Sequence, residues 1–466
     1  MGKVINNTFW ILSASAFNKL SSIILVAVLS RYLGAADFGR FSFAFFYVAL
    51  FSAIAELGMT PVLIRLLRTE PGLSGEIFLK GALMGLSATL FAAGLAVASA
   101  FALGFDGEMT TLVMIASLGL LISFRDVTFR WFLEVPFRAG LRMRLPALLG
   151  MGSEMLGLLG VAAAVALGKG LETVLALYVL ANLPGFAFLA AASWQQARPC
   201  WGRNVPLRSI LKEAFPIGAS NTINTAYLML GPLAIYLFGS MEEMGYYALA
   251  FRITTSLRII PEALMHSVYP LLAASSGARQ ASVLFSRSFG AVSLMALPLA
   301  LGTMAVAGPV ALILGGAGFA PAAEAIKVLI WATAFAFINT CSRFTFNAVE
   351  LGRLNLISST GMLMVSAGLS FTLIPLWGLA GAAWSLAAAE GFGLIVNILL
   401  LTRRGLALPI GFVSRCIVAA ACMLACIYLF PNAVLQVVMG LAVYGAAASL
   451  MTGIRPVEII RQMTGR

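Results

Sequence analysis

The sequence predicts an all-α membrane protein with about fourteen transmembrane helices, forming two parallel-repeat six-helix lobes around a central cavity plus two C-terminal helices. Three observations carry this expectation. Of 466 residues, 61% are hydrophobic and only 10% are charged, with a mean hydropathy of +0.98. A water-soluble domain has too little polar surface to cover that much apolar material. Second, the apolar runs are long and do not alternate: residues 288–323, 354–389 and 416–454 contain no Asp, Glu, Lys or Arg. Barrel strands would alternate over roughly ten residues, so of the two structures that satisfy their own backbone in lipid, the helix is implied. Third, basic residues gather in every second loop.

In order, the candidate helices are residues 6–29, 38–63, 77–104, 109–130, 143–168, 172–194, 214–238, 243–273, 281–314, 322–349, 354–375, 379–402, 413–430 and 434–452. Turn-forming residues punctuate the gaps: Gly34 to Gly39, Pro71-Gly72, Asp106-Gly107, Gly168-Lys169-Gly170, Gly315 to Pro321, Pro375 to Gly378, and Pro431-Asn432. The odd-to-even loops hold only Arg31, Arg40 and Lys169. The other set holds Arg65, Arg68, Arg138, Arg142, Arg144, Arg198, Arg203, Arg208, Lys212, Arg279, Arg353, Arg403, Arg404, Arg455, Arg461 and Arg466. An excess of Lys and Arg marks the cytoplasmic side. Both termini are therefore expected in the cytoplasm of a multi-pass bacterial inner-membrane protein, embedded in the lipid bilayer.

The same asymmetry accounts for the net charge of +12 without any nucleic acid. The cysteines, Cys200, Cys341, Cys416, Cys422 and Cys426, lack metal-ligand partners, and Cys422 and Cys426 read as small core residues. Residues 1–30 end in no small-residue cleavage site and run on into the first span. The odd-to-even loops are at most about ten residues long, too short for the external chemistry of a polymerase or ligase. With no nucleotide-binding loop, metal spacing or catalytic triad in the sequence, neither enzymatic activity nor a cofactor is expected.

An internal repeat organises the helices. Residues 33–45, LGAADFGRFSFAF, resemble residues 239–251, GSMEEMGYYALAF, at an offset that pairs Asp37 with Glu243, Gly39 with Gly245 and Phe45 with Phe251. At the same offset Glu56 falls on Glu262 and Met59 on Met265. Each match opens the second helix of a six-helix unit. The lobes are then 1–195 and 213–402, joined by a cytoplasmic linker at 196–212 and followed by two helices and a tail at 403–466. Six intervening helices give the repeats one orientation, a common transporter plan with the binding site near mid-membrane.

The segment from Leu29 to Ser42, LSRYLGAADFGRFS, followed by Ala55-Glu56-Leu57-Gly58-Met59, resembles the polysaccharide-transporter branch of the multidrug/oligosaccharidyl-lipid/polysaccharide exporter superfamily. This branch includes flippases for O-antigen and exopolysaccharide repeat units. The resemblance implies an alternating-access flippase that moves undecaprenyl-diphosphate-linked oligosaccharide from cytoplasm to periplasm. It also implies work alongside a polysaccharide polymerase and other biosynthesis proteins.

Charges inside spans cost about 2.5–3.5 kcal/mol on insertion scales, so they face a wet cavity or a partner. The candidates are Lys19, Glu56, Glu154, Arg252, Arg258, Glu262, His266, Lys327, Arg343 and Glu390. Lys19, beside Asn18, has no carboxylate one turn away on its own helix. It is expected either to hold the lipid's diphosphate or to pair with another helix, for example through Glu56. Arg258, Glu262 and His266 are spaced i, i+4, i+8, giving either a polar stripe or an intrahelical ion pair. Arg252 has no acidic residue three or four positions away. Asn221, Thr222, Asn224 and Thr225 either meet sugar hydroxyls or cap a break near Pro216. The expected substrate contacts are Lys19, Arg252, Arg258, Arg31, Asn18, Asn221 and Asn224. Glu56, Glu262 and His266 are the candidates for ion coupling. Two relatives of the same superfamily remain as rivals. A multidrug/cation antiporter would line its cavity with carboxylates, and a peptidoglycan lipid-precursor flippase shares fourteen helices and a cationic cavity.

Overall fold

The computed structural model describes residues 2–124, 128–202, 205–275, 277–349, 351–430 and 432–452. Arg203, Pro431, Arg455, Arg461 and Arg466, which enter the turn and loop-charge reading, lie outside the described residues. The α-helices are α1 (Gly2–Glu56), α2 (Met59–Thr69), α3 (Ser74–Ala102), α4 (Gly107–Ile122), α5 (Arg130–Ala139), α6 (Arg144–Ala166), α7 (Leu171–Leu180), α8 (Leu183–Ala197), α9 (Leu207–Phe238), α10 (Met241–Ser256), α11 (Ile259–Ala273), α12 (Ala278–Ala305), α13 (Ala307–Gly315), α14 (Ala322–Ala348), α15 (Gly352–Arg403), α16 (Ile410–Ile427) and α17 (Ala433–Thr452).

Two of these helices double back. In α1 the backbone leaves helical geometry at Gly34 (φ 75°, ψ −180°), and in α15 at Gly378 (φ 51°, ψ −125°). Positive φ of this kind is open to glycine and strained for other residues, so a single residue suffices to reverse the chain. Among the described residues, five other crossings are interrupted part-way: α1–α2, α4–α5, α7–α8, α10–α11 and α12–α13. With the two reversals and five interruptions taken into account, the described helices make fourteen crossings, as the apolar runs imply. Among the described residues, nine helical stretches are long and apolar enough to cross a membrane, and two of them, Asn6–Thr69 and Gly352–Arg403, contain the reversals.

The fourth crossing departs from the expectation of a helix ending at 130 with loop over 131–142. Instead α4 stops at Ile122 and a second helix, α5, follows. The Ser123 carbonyl accepts hydrogen bonds from Thr128 Oγ1 (2.9 Å) and Arg130 Nε (3.2 Å). α5 then buries Phe132, Leu133, Val135 and Phe137 against Met59, Ile77 and Leu189. The cysteine reading also needs correction. Cys341 and Cys416 are buried, but Cys422 is exposed and Cys426 partly so, because both lie on the outward apolar face of α16.

By compactness the chain divides into Met1–Tyr236 with Ser240–Gly245, and Leu237–Gly239 with Tyr246–Arg466. This division is not the repeat boundary. Helix α9 goes with the first unit, where Ile210 and Ala214 join the core around Met59 and Phe132. The second unit has one core around Met265, Phe285, Phe289 and Phe337 and another around Ala419, Met423 and Tyr444. Within the first unit the repeated motif packs on itself: a Cβ on Gly39 would strike the Met241 carbonyl, and one on Gly245 the Ala35 carbonyl. Ala35 and Met241 are equivalent residues at the repeat offset, so the two glycines make reciprocal close approaches.

Candidate functional site

The motif that carries the family resemblance has a structural job. Directly after the reversal at Gly34, Asp37 accepts a hydrogen bond from Arg40 (2.8 Å), and Arg40 lies 3.6 Å from Glu108. Phe38, Phe41 and Phe43 are almost fully buried. These residues fix how α1 re-enters the bundle and offer little to a ligand.

In the first unit, α1 ends at Glu56, and Leu57 (φ 48°) and Gly58 (φ 71°) turn the chain into α2. Glu56 is buried and accepts a hydrogen bond from Asn221 Nδ2 at 3.3 Å. A polar contact between α9 and the end of α1 therefore brings two of the proposed site residues together. Helix α9 passes Pro216 without interruption, which removes the reading of Asn221, Thr222, Asn224 and Thr225 as caps of a break. Thr222 and Asn224 instead donate to the carbonyls four residues back, Gly218 and Ser220, both at 2.9 Å. Lys19 and Arg31 are exposed on α1 and Asn18 is half-buried; Lys19 and Arg31 each have interaction partners.

In the second unit the polar stripe of the eighth crossing is divided. Arg258 stands at the interruption between α10 and α11, with Pro261 just beyond it. It donates to Glu390 on α15 at 2.8 Å, not to Glu262. Glu390 is 1% exposed. Asn339 on α14 donates to both its side chain and its backbone carbonyl at 2.9 Å, and Asn397 donates to Asn339 at 3.0 Å. A buried carboxylate needs a counter-charge far more than an exposed one does, so Arg258 goes to Glu390 and Glu262 is left toward solvent. Glu262 faces Arg343 across 3.9 Å, and His266 meets the Phe344 ring at 5.0 Å. Arg252 is half-buried on α10 and has interaction partners of its own.

The repeat pairing of Glu56 with Glu262 thus joins unlike surroundings. The first is buried before a break in its helix, and the second is exposed after one. Lys327 is not deep in a span: it pairs with Glu324 at 2.7 Å in the first turns of α14.

Two further charge clusters escape the sequence reading. Glu134, 1% exposed, is held by Arg130 and by Arg138 (2.7 Å), while Arg138 lies over Trp131 and Arg68 binds the last carbonyls of α5. Glu76 and Lys80 pair at 2.6 Å and bind the Val205 backbone through both its groups, strapping the linker to α3. In both clusters the opposite charges are four residues apart, the spacing that marks helical ion pairs. Both clusters are structural ties in the first unit.

A family model described as polysaccharide biosynthesis protein matches residues 4–276. No curated protein matches the chain in sequence. Solved structures of similar fold include the lipid II flippase MurJ in an inward closed conformation (TM-score 0.76, 15% identity, covering 96% of this chain and 98% of that one). They also include an outward-facing multidrug resistance MATE family transporter of the MOP superfamily (0.61, 15%, 86% and 95%). A third is a MOP superfamily transporter from Pyrococcus furiosus (0.51, 15%, 86% and 93%).

Proposed function

The chain belongs to the polysaccharide biosynthesis protein family, whose model matches more than half of it, and from that premise we propose that it is a flippase for undecaprenyl-diphosphate-linked oligosaccharide repeat units. It carries them from the cytoplasmic to the periplasmic leaflet by alternating access. The family match is the observation that carries this reading. It is supported by the multi-pass helical fold of MOP-superfamily flippases and transporters, and by the basic side chains Lys19 and Arg252 within crossing helices. An anionic diphosphate is the natural cargo group for such cations.

Deletion of the gene tests the proposal. Lipid-linked repeat units are expected to accumulate on the cytoplasmic leaflet and surface polysaccharide to be lost, both restored by the intact chain. Lys19→Ala and Arg252→Ala should each abolish export, scored against membrane abundance. Arg252→Lys should retain part of it, keeping the charge but losing the planar fork. Normal export by the Lys19→Ala, Arg252→Ala double variant would show that neither side chain is needed to move the diphosphate.

A second reading, a flippase for the peptidoglycan lipid precursor, is favoured by the better structural fit to MurJ than to the MATE transporters. Lysis on depletion, with surface polysaccharide initially intact, would select it. Drug hypersensitivity with normal glycan export would instead select an antiporter.

A further inference from the structure

Resting on the flippase reading, we infer that Glu262, His266 and Tyr269 of α11, with Arg343 and Phe344 of α14, form a binding patch for the sugar rings of the cargo, separate from any group that holds its diphosphate. The three α11 residues follow one another at i, i+4 and i+7 and share a helix face. Leu264 on the opposite side of the helix, and Met265 and Leu272 along one flank of this face, are buried in the second unit's core. The patch is open: His266 is exposed, Tyr269 is 37% exposed, and the Glu262 and Arg343 side chains are 48% and 41% exposed. Exposed ionic groups on crossing helices face water rather than lipid, so this face borders an aqueous space.

Its chemistry suits a saccharide. Phe344 sits at the centre, with His266 at 5.0 Å and Tyr269 at 6.0 Å, both nearly perpendicular to it, and the Arg343 guanidinium lies 5.6 Å from its ring centre. Aromatic bodies with polar tips offer apolar faces to the C–H side of a sugar ring. Around them, Arg343 donates, Glu262 accepts, and His266 and Tyr269 can do either. That mixture meets hydroxyl groups, which are donors and acceptors at once. It does not suit a diphosphate, because Glu262 stands 3.9 Å from Arg343 and both offsets its charge and repels an anion.

The test uses the full-length protein in detergent and two probes: the oligosaccharide repeat unit released by mild acid from the host's own surface polysaccharide, and inorganic pyrophosphate. Tyr269→Ala and His266→Ala should each weaken oligosaccharide binding by about tenfold and leave the thermal midpoint and pyrophosphate binding unchanged. Tyr269→Phe, which keeps the ring, should bind the sugar nearly as well as the parent. Sugar affinity that is unchanged in both alanine variants, or pyrophosphate affinity that falls in their place, overturns the patch. The deletion strain judges the flippase reading independently. If export is lost on deletion but restored in full by a Tyr269→Ala, His266→Ala chain, the patch fails and the flippase stands.

Discussion

Glu390 shows how much one residue's surroundings decide. In sequence it is the lone charge between Arg353 and Arg403, yet folding places a guanidinium and an amide on it. Helical spacing makes Arg258 and Glu262 obvious partners. What spacing does not show is that a carboxylate 132 positions away is buried and so outcompetes an exposed neighbour. Removing Arg258 takes the guanidinium counter-charge from that carboxylate and leaves it the Asn339 amide, and breaking a buried ion pair in this way typically costs about 3–5 kcal/mol. Arg258→Ala is therefore expected to lower the thermal midpoint and membrane abundance, and adding Glu390→Gln should restore most of the loss. Equal stability of the single variant and the parent would show that the pair contributes nothing. Other site residues are legible only as types. Lys19 and Arg252 stand out as cations within spans, but the ring that His266 meets, Phe344, comes from a different helix. Conversely, Arg130, Glu134 and Arg138 stand at readable spacing, and only the expectation of a loop over most of their stretch hides them.

At the level of elements, reversals are written in the sequence and interruptions are not. Gly34 and Gly378 fall in gaps expected from turn chemistry, although each turn is tighter than expected. The breaks before α2 and α11 are marked by Pro61 and Pro261, each the third residue of the helix that follows. There the missing N–H would have had no intrahelical partner. Yet Pro216, Pro232 and Pro298 lie inside helices that continue. Proline alone therefore does not distinguish the two cases. The Gly34 reversal yields a clean comparison. At both Gly34 and Gly94 an added methyl would meet nothing within 4 Å, but only Gly34 has positive φ (75°). Gly34→Ala should destabilise by about 1–3 kcal/mol through backbone strain alone, whereas Gly94→Ala, in the interior of α3, should stabilise by roughly 0.5–1 kcal/mol. Thermal unfolding of the two variants in detergent checks both signs, and a shift in the same direction for both would refute the argument.

For the whole molecule, the count of crossings is the most legible feature, because long apolar runs and the turn-forming residues that divide them determine it together. The alternation of basic loops then predicts orientation. Reporter fusions after Arg68, Arg144, Lys212, Arg353 and Arg404 should report cytoplasm, and fusions near Asp106, Glu242 and Gly316 the periplasm. Two or more reversed positions would reject the fourteen-crossing topology. Less legible is the compactness boundary, since α9 begins a repeat in sequence but packs with the helices that precede it. The tight reversals at Gly34 and Gly378 belong to a wider economy: the odd-to-even connections run from one residue at those glycines to six at 316–321. A protein with that orientation would offer the periplasm almost no exposed chain. Periplasmic proteases would find little there to cut, and affinity tags or fluorescent labels would have to be carried on its cytoplasmic loops.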